Sequence, residues 1–358
     1  MDDNRHFRKP PRGRASGINP KNRFESDHFE PDVEDYDPER RAATVLHRDS
    51  SRRALSESDS PDLALRYGLN PYRGCEHGCS YCFARPYHEY LGFSAGLDFE
   101  TQIVVKYDIA RLLDTQLSKK EWVAEPIFLS GATDPYQPLE RKLRLTRACL
   151  EVFLHHRHPV AMITKNQLVT RDLDLLEKLA ARNLVSVTLS ITTLRDDVVN
   201  KMEPRTARPR RRIETIRRLA DAGVPVGVNV APVIPGLTDE EMPAILEAAA
   251  EAGASFAGFQ IVRLPGAVTE VFQTWLRGAY PNRAEKVLSR IRQIRGGQLN
   301  DSRFGSRQTG EGPWASLLAK IFSVHTQRLG LNRRGPTLAT HHYLRTPCDQ
   351  GNLFAEAD

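Results

Sequence analysis

The 358-residue chain holds only five cysteines, and no run of about 18 apolar residues occurs in it. The second absence argues against a membrane-spanning helix. The opening stretch, MDDNRHFRKPPRGR, has no apolar segment behind its charges, so it does not read as a secretory leader. A chain of this length with so few cysteines is not a disulfide-stapled scaffold. No G-x-G-x-x-G follows the first predicted strand, which counts against a Rossmann dinucleotide site. Internal repeats are missing apart from a strand–helix alternation. Charge of one sign is also in short supply. Lys plus Arg number 51 against 45 for Asp plus Glu, a net +6, which is compatible with a nucleic-acid partner without establishing one.

What is present is enough apolar sequence, 40% of residues, for one large core or two small ones. Residues 1–60 look unfolded: basic up to Arg23, acidic around EDYDPE, with sparse and aperiodic apolar positions. They read as a solvated tail or as a basic arm against a polyanion. From 61 to 280, short β-branched runs alternate with amphipathic stretches. PIFLSGA (126–132) precedes a helix near 141–156, and PVAMITK (159–165) one at 171–182. LVSVTLSITT (184–193) precedes a helix at 210–223, VPVGVNVAPVI (224–234) one at 239–253, and SFAGFQIVRL (255–264) one at 269–278. Asp239 is expected to cap its helix, and Gly223 and Gly253 to sit just past helix ends. With ALRYGLNPY (64–72) as a first strand there are six βα units. That predicts an α/β fold, a partial (β/α)6 barrel rather than a doubly wound sheet. Residues 281–358 break the alternation and read as a mainly helical extension that closes or flanks the barrel.

Three of the five cysteines fall within eight residues, Cys75-Glu-His-Gly-Cys79-Ser-Tyr-Cys82. Clustered cysteines in a chain without a leader read as metal ligands kept reduced in the cytosol. Three thiolates on one tight loop suit three corners of a four-iron cluster and leave the fourth iron open. The alternative is a closed Cys3His zinc site completed by His77 or His88, in a non-catalytic nucleic-acid-binding protein.

The spacing C-x3-C-x-aromatic-C, with Tyr81 as the aromatic, resembles the signature of the radical S-adenosylmethionine superfamily. The resemblance implies a [4Fe–4S] cluster on Cys75, Cys79 and Cys82. It implies that S-adenosylmethionine is chelated at the open iron and cleaved reductively to a 5′-deoxyadenosyl radical, which takes hydrogen from the substrate. It implies a flavodoxin or ferredoxin as electron donor, and Tyr81 against the adenine.

A barrel carries its working residues at the C-terminal ends of its strands, and these ends turn polar here. Ser130–Pro135, Thr164–Asn166 and Ser190–Thr193 close three strands, Asn229 lies within the fourth, and Arg263 ends the last. The methionyl group needs an amine acceptor, for which Thr133 and Asp134 are candidates, and a cation for its carboxylate, for which Lys165 is. Ser190 suits the ribose. The same order of motifs resembles the spore photoproduct lyase branch over about 64–265. In that branch a cysteine just before the Ser/Thr-Asp pair returns hydrogen to the product radical. Here the stretch is Ser130-Gly131-Ala132-Thr133, with no thiol, so repair of thymine photodimers is not expected. Cys149 sits at apolar helical spacing and reads as core, and Cys348 lies near the end of the chain. The substrate is left open, with a nucleic acid among the candidates.

Arg205 suits either a carboxylate or phosphate partner or a solvated loop. His155, His156 and His158 suit either a metal or the C-terminal dipole of a helix. Arg290, Arg292, Arg295, Arg303 and Arg307 suit either a phosphate backbone or a solvated face.

Overall fold

A computed structural model describes residues 9–26, 39, 41–62, 65–333 and 335–345. Its ten strands are β1 (Val45–Arg48), β2 (Leu55–Glu57), β3 (Tyr67–Leu69), β4 (Tyr72–Arg73), β5 (Gln102–Val105), β6 (Ile127–Leu129), β7 (Val160–Thr164), β8 (Val185–Ser190), β9 (Val226–Val233) and β10 (Phe256–Ile261). Six of them form one parallel sheet in the order β10-β9-β8-β7-β6-β3, and β2 adds antiparallel to β3 at the edge. These six are the strands expected from the alternation. β10 and β2 are the sheet edges, so the barrel is partial.

Helices Leu145–His155, Leu173–Ala180, Pro209–Asp221, Met242–Glu251 and Val268–Ala279 follow β6, β7, β8, β9 and β10 in turn. Each lays an apolar face on the sheet, as Leu150 and Phe153, Leu176 and Leu179, Ile216 and Leu219, and Ile245 and Leu246 show, all fully buried. β8 is buried almost throughout, as a central parallel strand should be. β10, at the edge, is only half-buried over most of its length. Gly223 and Gly253 take positive φ just past helix ends, as expected. Asp239 does not cap a helix. Its carboxylate accepts from the Gly236 N–H at 2.9 Å, and Met242–Glu251 starts instead on a proline in its first turn.

The extension forms helices Ala284–Ile294 and Gly312–Arg328. It covers the open edge: Asn332 accepts from Ala257 N at 2.8 Å and donates to Ala257 O at 3.0 Å, and Gln308 O accepts from Ile261 N at 2.9 Å. An edge strand whose polar groups are taken up in this way cannot recruit another strand.

The expected tail is revised. Residues 1–8, 27–38 and 40 lie outside the described residues, but Arg14, Ala15, Ser16 and Asn22 are buried. β1 pairs in parallel with β5, and β4 pairs antiparallel with β5, making a second, three-stranded sheet. The segment buries polar side chains rather than an apolar face, which is why its composition resembles that of a solvated chain. No described helix is long and apolar enough to cross a membrane.

Candidate functional site

The cysteine loop leaves β4 at the C-terminal end of the parallel strands. Its first turn needs glycine twice. Gly74 has φ 82°, and a Cβ there would meet Phe99 O at 3.0 Å. Gly78 has φ 63°, and a Cβ there would meet Glu100 Oε2 at 2.5 Å. Glu100 is the clamp of the loop. It is fully buried and accepts from Arg85 Nη2 at 2.6 Å, Ser16 N at 3.0 Å and Ala15 N at 3.2 Å. Arg85, also fully buried, donates back to Cys79 O from Nε and Nη2 at 3.0 and 2.9 Å. Gln137 ties the other end, accepting from Glu76 N at 2.8 Å and donating to Gly74 O at 3.2 Å.

Cys75, Cys79 and Cys82 are brought together, Cys82 close enough to disfavour ionisation of the Cys75 and Cys79 thiols and Cys75 that of Cys79. Burial pushes all three thiols up, so a cation must hold them as thiolates. Backbone N–H groups of Asp134 and His77 favour a charged Cys75 sulfur, and that of Ala84 a charged Cys82.

Neither histidine completes a zinc set. His77 Nδ1 lies 3.4 Å from Asp134 Oδ2, and its Nε2 is 3.2 Å from Asn166 Nδ2. His88 Nε2 is 2.8 Å from Gln102 O, and its ring is also held by the backbone of Asp98. Burial lowers His88 to about 4. Among the described residues, the trio of ligand atoms lying within 4.8 Å of one another is Asp114, His155 and His156. The three sulfurs form no such trio, whereas thiolates around one zinc stand about 3.8 Å apart. Three sulfurs with no fourth protein ligand among the described residues fit a polynuclear group with an open corner.

The other expected residues gather round this loop. Tyr81 is buried, and its hydroxyl donates to Glu203 Oε1. Glu203 also accepts from Thr192 Oγ1 at 2.7 Å and pairs with Arg212. Burial alone would raise Glu203, but Arg212 and Lys165 outweigh it and hold the carboxyl near 2. Lys165, at the end of β7, places Nζ 3.8 Å from Glu203 Oε1, 3.1 Å from Ala231 O and 5.8 Å from the Tyr81 ring centroid. It also favours the Cys79 and Cys82 thiolates. Ser190 ends β8, level with Asn229, which is level with Gly258 on β10. Thr133 and Asp134 are held by the protein itself. Thr133 Oγ1 donates to Tyr72 O at 3.1 Å. Asp134 accepts from Thr164 Oγ1 at 2.6 Å, Lys165 N at 2.7 Å and Tyr136 N at 2.9 Å. Its carboxylate therefore joins two strand ends and orients His77.

Arg205 pairs with Glu76 Oε1 at 3.0 Å, inside the loop. Several arginines of the basic stretch in the extension are engaged within the protein. Arg295 donates to Val262 O at 2.9 Å and Ser306 O at 2.9 Å, Arg303 pairs with Asp301 and Glu311, and Arg307 with Asp62. Arg290 lies over the Trp314 ring, 4.2 Å from its centroid. Arg263 is different. Its guanidinium lies 5.6 Å from the ring centroid of Phe83, next to Cys82, and its buried Nε has no hydrogen-bond partner among the described residues. Phe83 and Tyr87 are exposed beside it.

Sequence reasoning missed Arg85, Glu100, Gln137, Glu203 and Arg212. Glu203 was the most findable, in the MEPRTARPRRR stretch that directly follows the Ser190 strand end.

Residues 69–249 match the model of the Radical SAM superfamily. An uncharacterized protein of Mycobacterium tuberculosis is 37% identical over 234 residues, covering 65% of this chain and 68% of that protein. The radical SAM Nalpha-GlyT isomerase of Pseudomonas phage M6 is 26% identical over 301 residues, covering 74% of this chain and 60% of that protein. Among solved structures, spore photoproduct lyase complexed with dinucleoside spore photoproduct superposes with a TM-score of 0.57 at 18% identity, covering 80% of both chains.

Proposed function

This chain belongs to the radical S-adenosylmethionine superfamily, with the fold of its spore photoproduct lyase-like branch, and from that premise we propose how its own residues serve the chemistry. The superfamily's cofactors are a [4Fe–4S] cluster and S-adenosylmethionine. Cys75, Cys79 and Cys82 would hold the cluster. Lys165, Ser190, Tyr81, Thr133 and Asp134 would receive S-adenosylmethionine at the open corner. When bound, the pair supplies reductive cleavage of the sulfonium and removal of a hydrogen atom from a substrate.

The single observation that carries this reading is the loop itself: three clustered thiols, two buried and one half-buried, no histidine free to close the set among the described residues, and a lysine ammonium beside them. Buried Glu203 fixes Lys165 and the Tyr81 hydroxyl. The ammonium thereby presents a cation to a carboxylate, and the Tyr81 ring is held rigid against an adenine. Asp134 acts mainly by setting the ends of β6 and β7, so its service to the methionyl amine is indirect.

We infer a nucleic acid as the substrate class. The support is the Arg263 guanidinium with its unpartnered Nε beside exposed Phe83 and Tyr87, a pairing of cation and aromatic faces suited to phosphate and base. One solved relative is described as complexed with a dinucleoside spore photoproduct, which points the same way. A reduced flavodoxin or ferredoxin would supply the electron, in the cytoplasm.

Anaerobic reconstitution followed by reduction is the test. The wild type is expected to cleave S-adenosylmethionine to 5′-deoxyadenosine, with more product when single-stranded DNA or RNA is added. Cys75→Ala, Cys79→Ala and Cys82→Ala should each abolish cleavage. Cleavage untouched by these changes overturns the reading, as does one zinc per chain with no iron or sulfide on the cysteines.

A further inference from the structure

Helix Leu145–His155 runs back from the cysteine end, so the turn His156–Pro159 opens at the opposite, N-terminal face of the sheet, just before β7. His156 is fully buried there. Its Nδ1 lies 3.1 Å from Leu344 O and its Nε2 lies 2.8 Å from Asp114 Oδ1. A carbonyl oxygen only accepts, so Nδ1 must carry a hydrogen. In the neutral ring that leaves the Nε2 lone pair facing a carboxylate oxygen, and two acceptors at that separation repel. The contact therefore requires a cation, either a second proton or a metal ion.

His155 decides between them. Its ring nitrogen joins Asp114 and His156 in a trio whose ligand atoms all lie within 4.8 Å of one another. Two imidazole nitrogens and one carboxylate oxygen are a donor set for zinc or a similar borderline divalent ion. A backbone carbonyl that fixes the tautomer of a ligating histidine is the usual support for such a set. Asp114 and His156 are buried and His155 is exposed, so the fourth position opens to water. We propose that Asp114, His155 and His156 form a divalent metal site of the zinc type, separate from the cysteine loop.

The site has a structural consequence. The C-terminal tail passes over it: Leu344 N donates to His156 O at 2.8 Å, the Tyr343 hydroxyl donates to Leu117 O, and the Tyr343 ring stacks on His156 at 6.4 Å. A metal on Nε2 fixes the ring in the orientation that holds Leu344 O, and so fastens residues 341–345 to helices Ile109–Leu117 and Leu145–His155.

The test uses untagged, anaerobically prepared holoprotein, with zinc and iron measured separately on the same sample. About one zinc per chain is expected beyond the cluster iron. His155→Ala and Asp114→Asn should each weaken zinc binding by at least about tenfold and leave the iron content unchanged. Amide exchange at 341–345 should be slower with zinc than after chelation. Zinc affinity unchanged in both variants overturns the proposal. So does a metal-free His156 whose ring nitrogens are both protonated by NMR, which would make the proton the cation.

Discussion

Glu203 has no solvent to share its charge with, so its neighbours set its behaviour. Arg212, itself fully buried, pairs with it, and Thr192, Tyr81 and Lys165 complete its surroundings. Glu203→Gln keeps the shape but leaves the Arg212 guanidinium buried without a counter-charge, a change that costs about 3–5 kcal/mol. Urea unfolding should show that loss. The pH dependence follows from the same contacts. The folded carboxyl titrates near 2 against an ordinary 4.5, so it ionises more readily folded than unfolded. Its contribution is therefore complete above about 4.5 and declines as the pH falls towards 2. The span is worth about 3 kcal/mol. Between those limits the wild type should lose about that much more stability than Glu203→Gln. Parallel pH profiles for the two proteins would show that Arg212 and Lys165 do not hold the carboxyl down.

The cysteine loop was legible where chemistry fixes a residue type at a spacing. Cys75, Cys79, Cys82 and Tyr81 stand at intervals that the eye can find, and the six parallel strands announced themselves by β-branched runs cut by helical stretches. The supports of the loop were not legible, because Glu100, Arg85 and Gln137 meet it only in three dimensions and carry no local pattern. Asp134 shows the intermediate case. Its position at a strand end marked it for the site, yet its oxygens are spent on Thr164, Tyr136 N and Lys165 N. Gly78 tests how tightly the loop is built. Gly78→Ala forces a non-glycine residue to φ 63° and presses its Cβ to 2.5 Å from Glu100 Oε2. Glu100 cannot swing away, being held by Arg85, Ala15 and Ser16. The strain of the left-handed backbone alone is about 1–2 kcal/mol, and the clash adds to it. Iron content after anaerobic reconstitution should fall well below that of the wild type. Full iron loading of Gly78→Ala would mean that the loop is slack and Glu100 is no clamp.

Across the whole molecule, residues 9–26 and residues 341–345 brace opposite faces of the sheet. The C-terminal tail docks beside the Asp114–His156 pair, while the N-terminal segment reaches the cysteine loop through Glu100. Composition concealed the N-terminal brace, since Arg14, Ser16 and Asn22 are polar and look solvated until their partners are known. The close passage of this segment over Gly96 gives a way to lift it without cutting the chain. A Cβ at Gly96 would collide with the Ile18 carbonyl and come within 2.8 Å of Asn19 Cα. Both are backbone atoms, so the segment itself must move. Leu97 N donates to Ile18 O at 3.0 Å, and Ser94 Oγ to Pro20 O at 2.6 Å, so these bonds are strained with it. Ala15 and Ser16, three and two residues before Ile18, would then be drawn away from Glu100. Losing two charge-assisted bonds to a buried carboxylate costs about 2–4 kcal/mol, and Glu100 would grip Arg85 and the loop less firmly. Gly96→Ala and deletion of residues 1–26 should therefore share one phenotype: faster loss of iron on exposure to air, with β7, β8 and β9 still protected in amide exchange. If both variants keep iron as long as the wild type does, the N-terminal segment merely covers the loop and bears none of its strain.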